Sequence, residues 1–226
     1  MNDTRLRMLI ACFAAILAAA CGALPHQSKP TAGYLYHDLL LDETFESGRG
    51  WRRYADGAEL WLGVAAGAYR IELLGKQYVW TQHDQAADDV VIEGQARQLS
   101  TYDHNAYGLA CRLDPANSGR GYFFLISGDG YASIRWGDGR ALRAIVPAFP
   151  SQSIHQGAAR NRIRAICIGD YLALWVNDEF VTEARDRRAA AGHVGLAGVM
   201  NYAGKELRVE FADLRVWSAA LDERGS

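Results

Sequence analysis

From residue 34 to residue 217 apolar and polar positions alternate with a period of two almost throughout. Such alternation marks strands that turn one face to a core and one away from it. It predicts strands over 34–41, 58–64, 67–74, 77–82, 89–99, 106–113, 121–127, 131–137, 140–146, 160–168, 171–176, 179–185, 193–200 and 206–217. Turn chemistry separates most of them: Ala65-Ala66-Gly67, Gly128-Asp129-Gly130, Gly137-Asp138-Gly139, Gly169-Asp170 and Asn177-Asp178. No segment sustains a 3.6-residue period, and only short turns near 114–118 and 151–157 suit a helix. No repeat or internal linker interrupts the run, so one all-β domain is expected, a sandwich or a barrel.

Two hairpins show faces that are neither plainly core nor plainly surface. In GYFFLISGDGYASIRW, 121–136, Asp129-Gly130 suits a two-residue type I′ loop. That register places Phe123, Leu125, Ile134 and Trp136 together as core. It places Tyr122, Phe124, Ile126, Tyr131, Ser133 and Arg135 on the opposite face, as if lining a groove or lying under loops. In the next hairpin Gly169-Asp170 is the loop. Ile163, Ala165, Cys167, Leu172, Leu174 and Val176 then share the apolar face, and Arg162, Arg164, Ile166, Ile168, Tyr171, Ala173 and Trp175 the other. A slip of one residue in either register would exchange the faces.

Composition narrows the function classes. Half of the 226 residues are hydrophobic, enough for a substantial core. The formal net charge is −2 and the Lys and Arg residues are scattered singly, which argues against a nucleic-acid partner.

The first residues read as an export signal. Arg5 and Arg7 precede an uncharged run, 8–20, that is shorter than the ~20 residues a helix needs to span a bilayer. Leu17-Ala18-Ala19-Ala20-Cys21 resembles a bacterial lipobox, with Ala18 where Leu is usual. The resemblance implies a signal peptide over 1–20, lipidation of Cys21 and a lipid anchor in the membrane, and Gly22 favours the outer membrane in a Gram-negative host. An ordinary cleaved signal peptide and an uncleaved anchor are the alternatives. Residues 22–33, with two prolines, Ser, Thr and Gly, form a tether that reaches roughly 40 Å when extended. The domain is expected over 34–217 and a tail over 218–226.

Cys12 leaves with the signal. Cys111 and Cys167 remain, an even pair in an exported chain, both on faces that read as buried. They suggest a disulfide; two buried free thiols are the alternative.

AYGLACRL, GYFFLISGDGYASIRW, NRIRAICIGDYLALWVNDEF and VEFADLRVW, with the opening LLLDETFESGRGW, look like segments of bacterial laminin-G-like domains. These belong to the concanavalin A-like lectin/glucanase superfamily, near the domains named for 3-keto-disaccharide hydrolases. The resemblance covers 34–217. It implies a jelly-roll β-sandwich of two antiparallel sheets, one concave, and a family that mostly binds or cleaves glycans across the concave face.

Sugar recognition needs flat aromatic faces and planar hydrogen-bonding groups. Tyr122, Phe124, Tyr131, Arg135, Arg164, Tyr171 and Trp175 are the candidate ligand contacts. Arginines stacked on these rings and covering them are the plainer explanation. Laminin-G-like domains often bind calcium at a rim, and Asp103 and Asn105 in TYDHNAYG are the candidate oxygen ligands; no other cofactor is expected. The superfamily's glucanase pattern E-x-D-x-x-E is absent; Glu206/Glu210 and Glu179/Glu183 read as solvated charges near strand ends, and Glu43/Glu46 sits in a turn-like segment. The favoured function is binding of a glycan or other ligand at the cell envelope. A glycoside-processing hydrolase, or a structural domain that packs on an envelope protein, are the alternatives.

Overall fold

Two antiparallel sheets face each other across the apolar side chains that the alternation predicts. The structure is a computed structural model that describes residues 29–75 and 77–222. The predicted signal peptide, Cys21 and most of the tether lie outside the described residues. Among the described residues there are fifteen strands: β1 (Gly33–Glu43), β2 (Tyr54–Asp56), β3 (Leu60–Ala65), β4 (Ala68–Leu74), β5 (Gln77–Ala86), β6 (Val90–Gln98), β7 (Ala106–Leu113), β8 (Arg120–Ile126), β9 (Tyr131–Asp138), β10 (Leu142–Pro150), β11 (Arg160–Ile168), β12 (Tyr171–Val176), β13 (Glu179–Arg185), β14 (His193–Met200) and β15 (Glu206–Asp222). One sheet runs β10-β9-β8-β7-β14-β5. The other, of nine strands, runs β13-β12-β11-β6-β15-β4-β3-β2, with β1 also on β15. This is the jelly-roll β-sandwich of the expectation.

The long strand β15 holds the nine-stranded sheet together. It pairs with β4 through Glu206–Phe211, with β6 through Val209–Ser218 and with β1 through Leu214–Asp222. Strand β1 begins at Gly33, and β15 continues through Ser218 to Asp222, residues that the sequence reading assigns to a tail. The β1–β2 connection closes on Glu43. Its carboxylate accepts the backbone N–H of Phe45 at 2.6 Å and the indole N–H of Trp51 at 3.1 Å. The rings of Phe45, Trp51 and Tyr69 then pack within 5.9 Å of one another. LLLDETFESGRGW is therefore a corner that seats two aromatics in the core.

Tyr107, Leu109 and Cys111 of β7 and Tyr122, Phe124 and Ile126 of β8 face Ile163, Ala165, Cys167, Leu172 and Leu174 of β11 and β12. Cys111 and Cys167 are joined by a disulfide. It links the six-stranded sheet to the nine-stranded one through the middle of this core. At Gly108 a side chain cannot be fitted: a Cβ would come 2.0 Å from the carbonyl oxygen of Phe124 on β8.

The β8–β9 register differs from expectation by one residue. Ile126 pairs with Ala132, Phe124 with Ile134 and Tyr122 with Trp136. The loop has three residues, Gly128 to Gly130, because Ser127 pairs across it: its N–H donates to the Tyr131 carbonyl at 2.9 Å, and its hydroxyl accepts the Tyr131 N–H at 2.9 Å. Tyr122 and Phe124 consequently point inward and are fully buried, while Phe123 and Leu125 take the outer face. The expectation that Tyr122 and Phe124 line an outer groove is corrected accordingly. The β11–β12 hairpin has the expected register, with Ile168 opposite Tyr171 around Gly169-Asp170.

Candidate functional site

The candidate ligand contacts do not gather on one wall. Tyr131 and Arg135 lie on the outer face of the six-stranded sheet, and Arg164, Tyr171 and Trp175 on the outer face of the nine-stranded sheet. Tyr122 and Phe124 sit between the two, in the core.

On the nine-stranded sheet the guanidinium and hydroxyl groups find partners within the set, while the buried indole N–H of Trp175 has none. The guanidinium of Arg164 lies 5.6 Å from the Trp175 ring and donates from Nε to Glu93. Tyr171 donates its hydroxyl to Glu183 at 2.7 Å, with Arg185 over its ring. Burial, then the Glu183 bond, raises the Tyr171 hydroxyl far above the ordinary phenol range. The start of the described chain lies on the same face. Ala32 and Tyr34 pack on the patch that includes Val91, Ile166 and Tyr171, and the Thr31 N–H donates to Glu183 at 2.9 Å. Tyr36 donates to Glu93 at 3.1 Å. On this sheet the arginines and the start of the described chain cover much of the aromatic set.

The six-stranded sheet presents a different surface. Its register aligns outward residues in rows across the strands. One row is Ala144, Arg135, Phe123, Ala110, Gly195, Gln82, and the next is Ser133, Leu125, Gly108, Ala197, Trp80. Strands β14 and β7, the next two in from the edge strand β5, thus contribute only Gly and Ala to these rows. Space above such a floor is open to larger side chains from the flanks, and Tyr78 and Trp80 of β5 take it. Their rings stack at 5.4 Å with 27° between planes, and the edge of Tyr78 meets Phe123 at 6.5 Å. The indole N–H of Trp80 donates to Asn117 Oδ1 at 2.7 Å. The 114–119 loop folds onto the same indole, and a Cβ at Gly119, whose φ is 78°, would come 2.7 Å from it. Trp80 is therefore held in one orientation while both rings remain partly exposed.

Polar groups flank this pair on both sides. Gln82, at the β5 end of the first row, has a buried Oε1 without a hydrogen-bond partner. At the other end, Arg135 donates from Nε to Ser133 Oγ at 3.2 Å. Its guanidinium has no carboxylate partner among the described residues, and burial alone pushes its pKa down from the usual arginine range. Tyr131 stands beyond it, 41% exposed. Burial, and then the Asp138 carboxylate, hold the Tyr78 hydroxyl above the ordinary phenol range. Asp138 itself is held at about 2 by the Arg143 side chain and the backbone N–H groups of Ala141 and Arg140. Flat rings beside an amide and a guanidinium suit a sugar ring, whose C–H face stacks and whose hydroxyls donate and accept. Tyr78, Trp80 and Gln82 were not among the sequence candidates, although the alternation in QYVWTQ puts all three on one face.

The other candidates lie in the β6–β7 connection and among the glutamates. The backbone carbonyl of Asp103 accepts N–H groups from Asn105 and Asp129, and the buried Asn105 donates its side-chain amide to the Tyr102 carbonyl while its Oδ1 has no hydrogen-bond partner. Among the described residues no group of three or more His, Cys, Asp or Glu is placed to hold a metal ion. Glu210 pairs with Arg97 at 2.7 Å and Glu206 with Arg208 at 3.3 Å. Glu179 accepts from the Ser153 hydroxyl, and Glu183 from Tyr171 and Thr31.

No family model matches the chain, and no curated protein matches it. Solved structures do. The carbohydrate-binding module CBM66 from Bacillus subtilis superposes with a TM-score of 0.56 at 16% identity, over 77% of this chain and 96% of that one. A protein with a galectin-like fold from Bacillus subtilis gives 0.56 at 12%, over 82% and 98%. LamA from Z. galactanivorans, in complex with laminaritriose and laminaritetraose, gives 0.53 at 10%, over 81% and 100%. At these identities the likeness is one of fold: the chain has the β-sandwich of galectin-like and concanavalin A-like proteins.

Proposed function

We propose that the chain is a glycan-binding protein, and that its site is the outer face of the six-stranded sheet. One observation carries this reading: the stacked, partly exposed Tyr78–Trp80 pair above a Gly and Ala floor, between the partnerless amide oxygen of Gln82 and the guanidinium of Arg135. The rings supply the stacking surface; Gln82, Tyr131 and Arg135 supply the polar rim. A carbohydrate-binding module and a laminari-oligosaccharide complex among proteins of the same fold support it. In this reading the chain is an exported lipoprotein. Cys21 carries the lipid, and the tether after it holds the sandwich clear of the headgroups.

The test is binding of the purified full-length chain to a glycan array, followed by titration of each retained glycan. Trp80→Ala should abolish binding with little change in the unfolding midpoint, whereas Trp175→Ala, on the other sheet, should leave binding intact. Equal binding by wild type and Trp80→Ala would rule the face out. Radiolabelled palmitate incorporated by wild-type cells but not by a Cys21→Ser strain tests the anchor.

A further inference from the structure

We infer that the ligand of this face is an acidic glycan, and that Arg135 receives its carboxylate. The inference rests on the glycan-binding reading above and adds the chemical class.

Its basis is an imbalance among the arginines of the sandwich. Among the described residues every other arginine that is buried or half-buried has a carboxylate: Arg164 has Glu93 and Asp178, Arg97 and Arg70 share Glu210, and Arg112 has Asp89. Around the loops, Arg185 and Arg187 share Asp170, and Arg143 holds Asp138. Arg135 differs. It stands on a strand of the six-stranded sheet between Ala144 and Phe123, neither of which offers an acceptor. Its one side-chain bond goes from Nε to a neutral hydroxyl, Ser133 Oγ. That bond fixes the plane of the guanidinium and leaves both Nη groups uncommitted.

A partly buried guanidinium without a counter-charge is an unfavourable arrangement, since burial removes hydration that no anion replaces. The lowered pKa of Arg135, for which burial is the sole cause, reports the same deficit. A planar carboxylate accepts two parallel N–H bonds from such a fork, a geometry that neutral hydroxyls match poorly. Arg135 lies in the same row as Gln82 and one row from Trp80. A chain of sugars stacked on Tyr78 and Trp80 would therefore bring successive ring substituents to Arg135 at one end and Gln82 at the other. A uronic acid in that chain supplies the missing charge.

The experiment uses the full-length chain on an array that carries neutral, uronate-bearing and sulfated glycans. Each retained uronate is then titrated as the free acid and as its methyl ester. Retention of uronate-bearing glycans is expected, with affinity lower by roughly ten- to hundred-fold for Arg135→Gln or for the ester. Arg135→Lys should restore part of it, and binding should weaken as salt rises. Neutral glycans bound as tightly as acidic ones, or an Arg135→Gln protein that binds uronates normally, would overturn the inference. If Trp80→Ala still abolished that binding, the glycan reading would survive. Retention of sulfated glycans alone would overturn the assignment to a carboxylate. Retention of no glycan would overturn both readings at once.

Discussion

Arg112 Nη2 lies 2.8 Å from Asp89 Oδ1, yet the Arg112 side chain is only 1% exposed. The arginine occupies a bulge: Leu113 pairs with His193 and Ala110 with Gly195, so Cys111 and Arg112 oppose Val194 alone. Its φ of 50° turns the side chain away from the strand's regular alternation. From there it donates to the carbonyls of Asp88, Gly169 and Ala189. These carbonyls belong to the β5–β6 connection, the β11–β12 turn and the β13–β14 loop. One guanidinium thus ties together three connections at one end of the sandwich. Arg112→Met keeps the aliphatic bulk but removes the guanidinium donor of three carbonyls and leaves Asp89 with the Gly169 N–H. A loss of roughly 3–5 kcal/mol in chemical unfolding is expected, at roughly 1–3 kcal/mol for each stranded acceptor. Binding by the protein that remains folded should be unchanged, because Arg112 is not part of the Tyr78–Trp80 face.

The disulfide one residue away braces the same region covalently. Cys111 and Cys167 are separated by 56 residues, and closing a loop of that size in the unfolded chain corresponds to about 4 kcal/mol. The Cys111→Ala, Cys167→Ala double variant should unfold at lower denaturant by about that amount. Wild type in a reducing agent should approach the same midpoint once the bond, which is fully buried, has been opened by transient unfolding. A double variant as stable as wild type would show that the two sheets hold their spacing without it.

How much of this was readable beforehand differs between the two hairpins. At Gly169-Asp170 two turn residues close the ribbon, and local chemistry suffices to place every side chain on its face. At Gly128-Asp129-Gly130 the same chemistry fits either a two- or a three-residue loop. The decision rests with the hydroxyl of Ser127, which bonds Asp129 and the Tyr131 N–H. One residue of difference turned Tyr122 and Phe124 inward. Alternation also carries no record of which sheet a hairpin joins. The β8–β9 and β11–β12 ribbons look alike as sequence, but β11 finds β6 and β8 finds β7, so they lie back to back. The cysteines were legible because their inward position favours pairing, as does the export that the sequence leads one to expect. Trp80 escaped because a tryptophan on a strand reads as core; its setting depends on the Gly and Ala floor of the next two strands, β14 and β7.

His83 makes stability depend on pH. Its ring packs on Trp51 at 5.3 Å, and its Nδ1 accepts the Gln85 N–H at 3.2 Å. Burial lowers its pKa; the carboxylates of Asp84 and Glu43 pull the other way, and His193 adds to the lowering. A base whose folded pKa lies below its unfolded value favours folding while it is neutral. The contribution is therefore present above the ordinary imidazole value of about 6.5 and is lost as pH falls through the lower folded value. Melting temperatures of wild type and His83→Gln should differ most near neutral pH and converge as the solution is acidified towards pH ~5. A constant difference across that range would remove His83 as the source.

Tyr122 and Trp80 separate the two meanings of an aromatic on this sheet. Tyr122 points into the core, where it is fully buried, packs its ring 5.1 Å from Trp136, donates its hydroxyl to Asp186 and accepts the Ala189 N–H. Tyr122→Ala empties a large interior volume and should lower stability by roughly 3–5 kcal/mol. Tyr122→Phe keeps the volume but strands the Ala189 N–H, at a loss of roughly 1–3 kcal/mol. Neither should alter the affinity of the folded fraction for a glycan. Trp80 lies across the outer face, bonded to a surface loop and packed on the apolar cluster that includes Ala110, Phe123 and Ala197. Its partial exposure limits the loss of stability on its removal, which should cost all of the binding. Chemical unfolding and glycan titration of the same three proteins read both quantities. Loss of affinity in folded Tyr122→Phe would mean that the loop near Asp186 and Ala189, and not the Tyr78–Trp80 pair, meets the sugar.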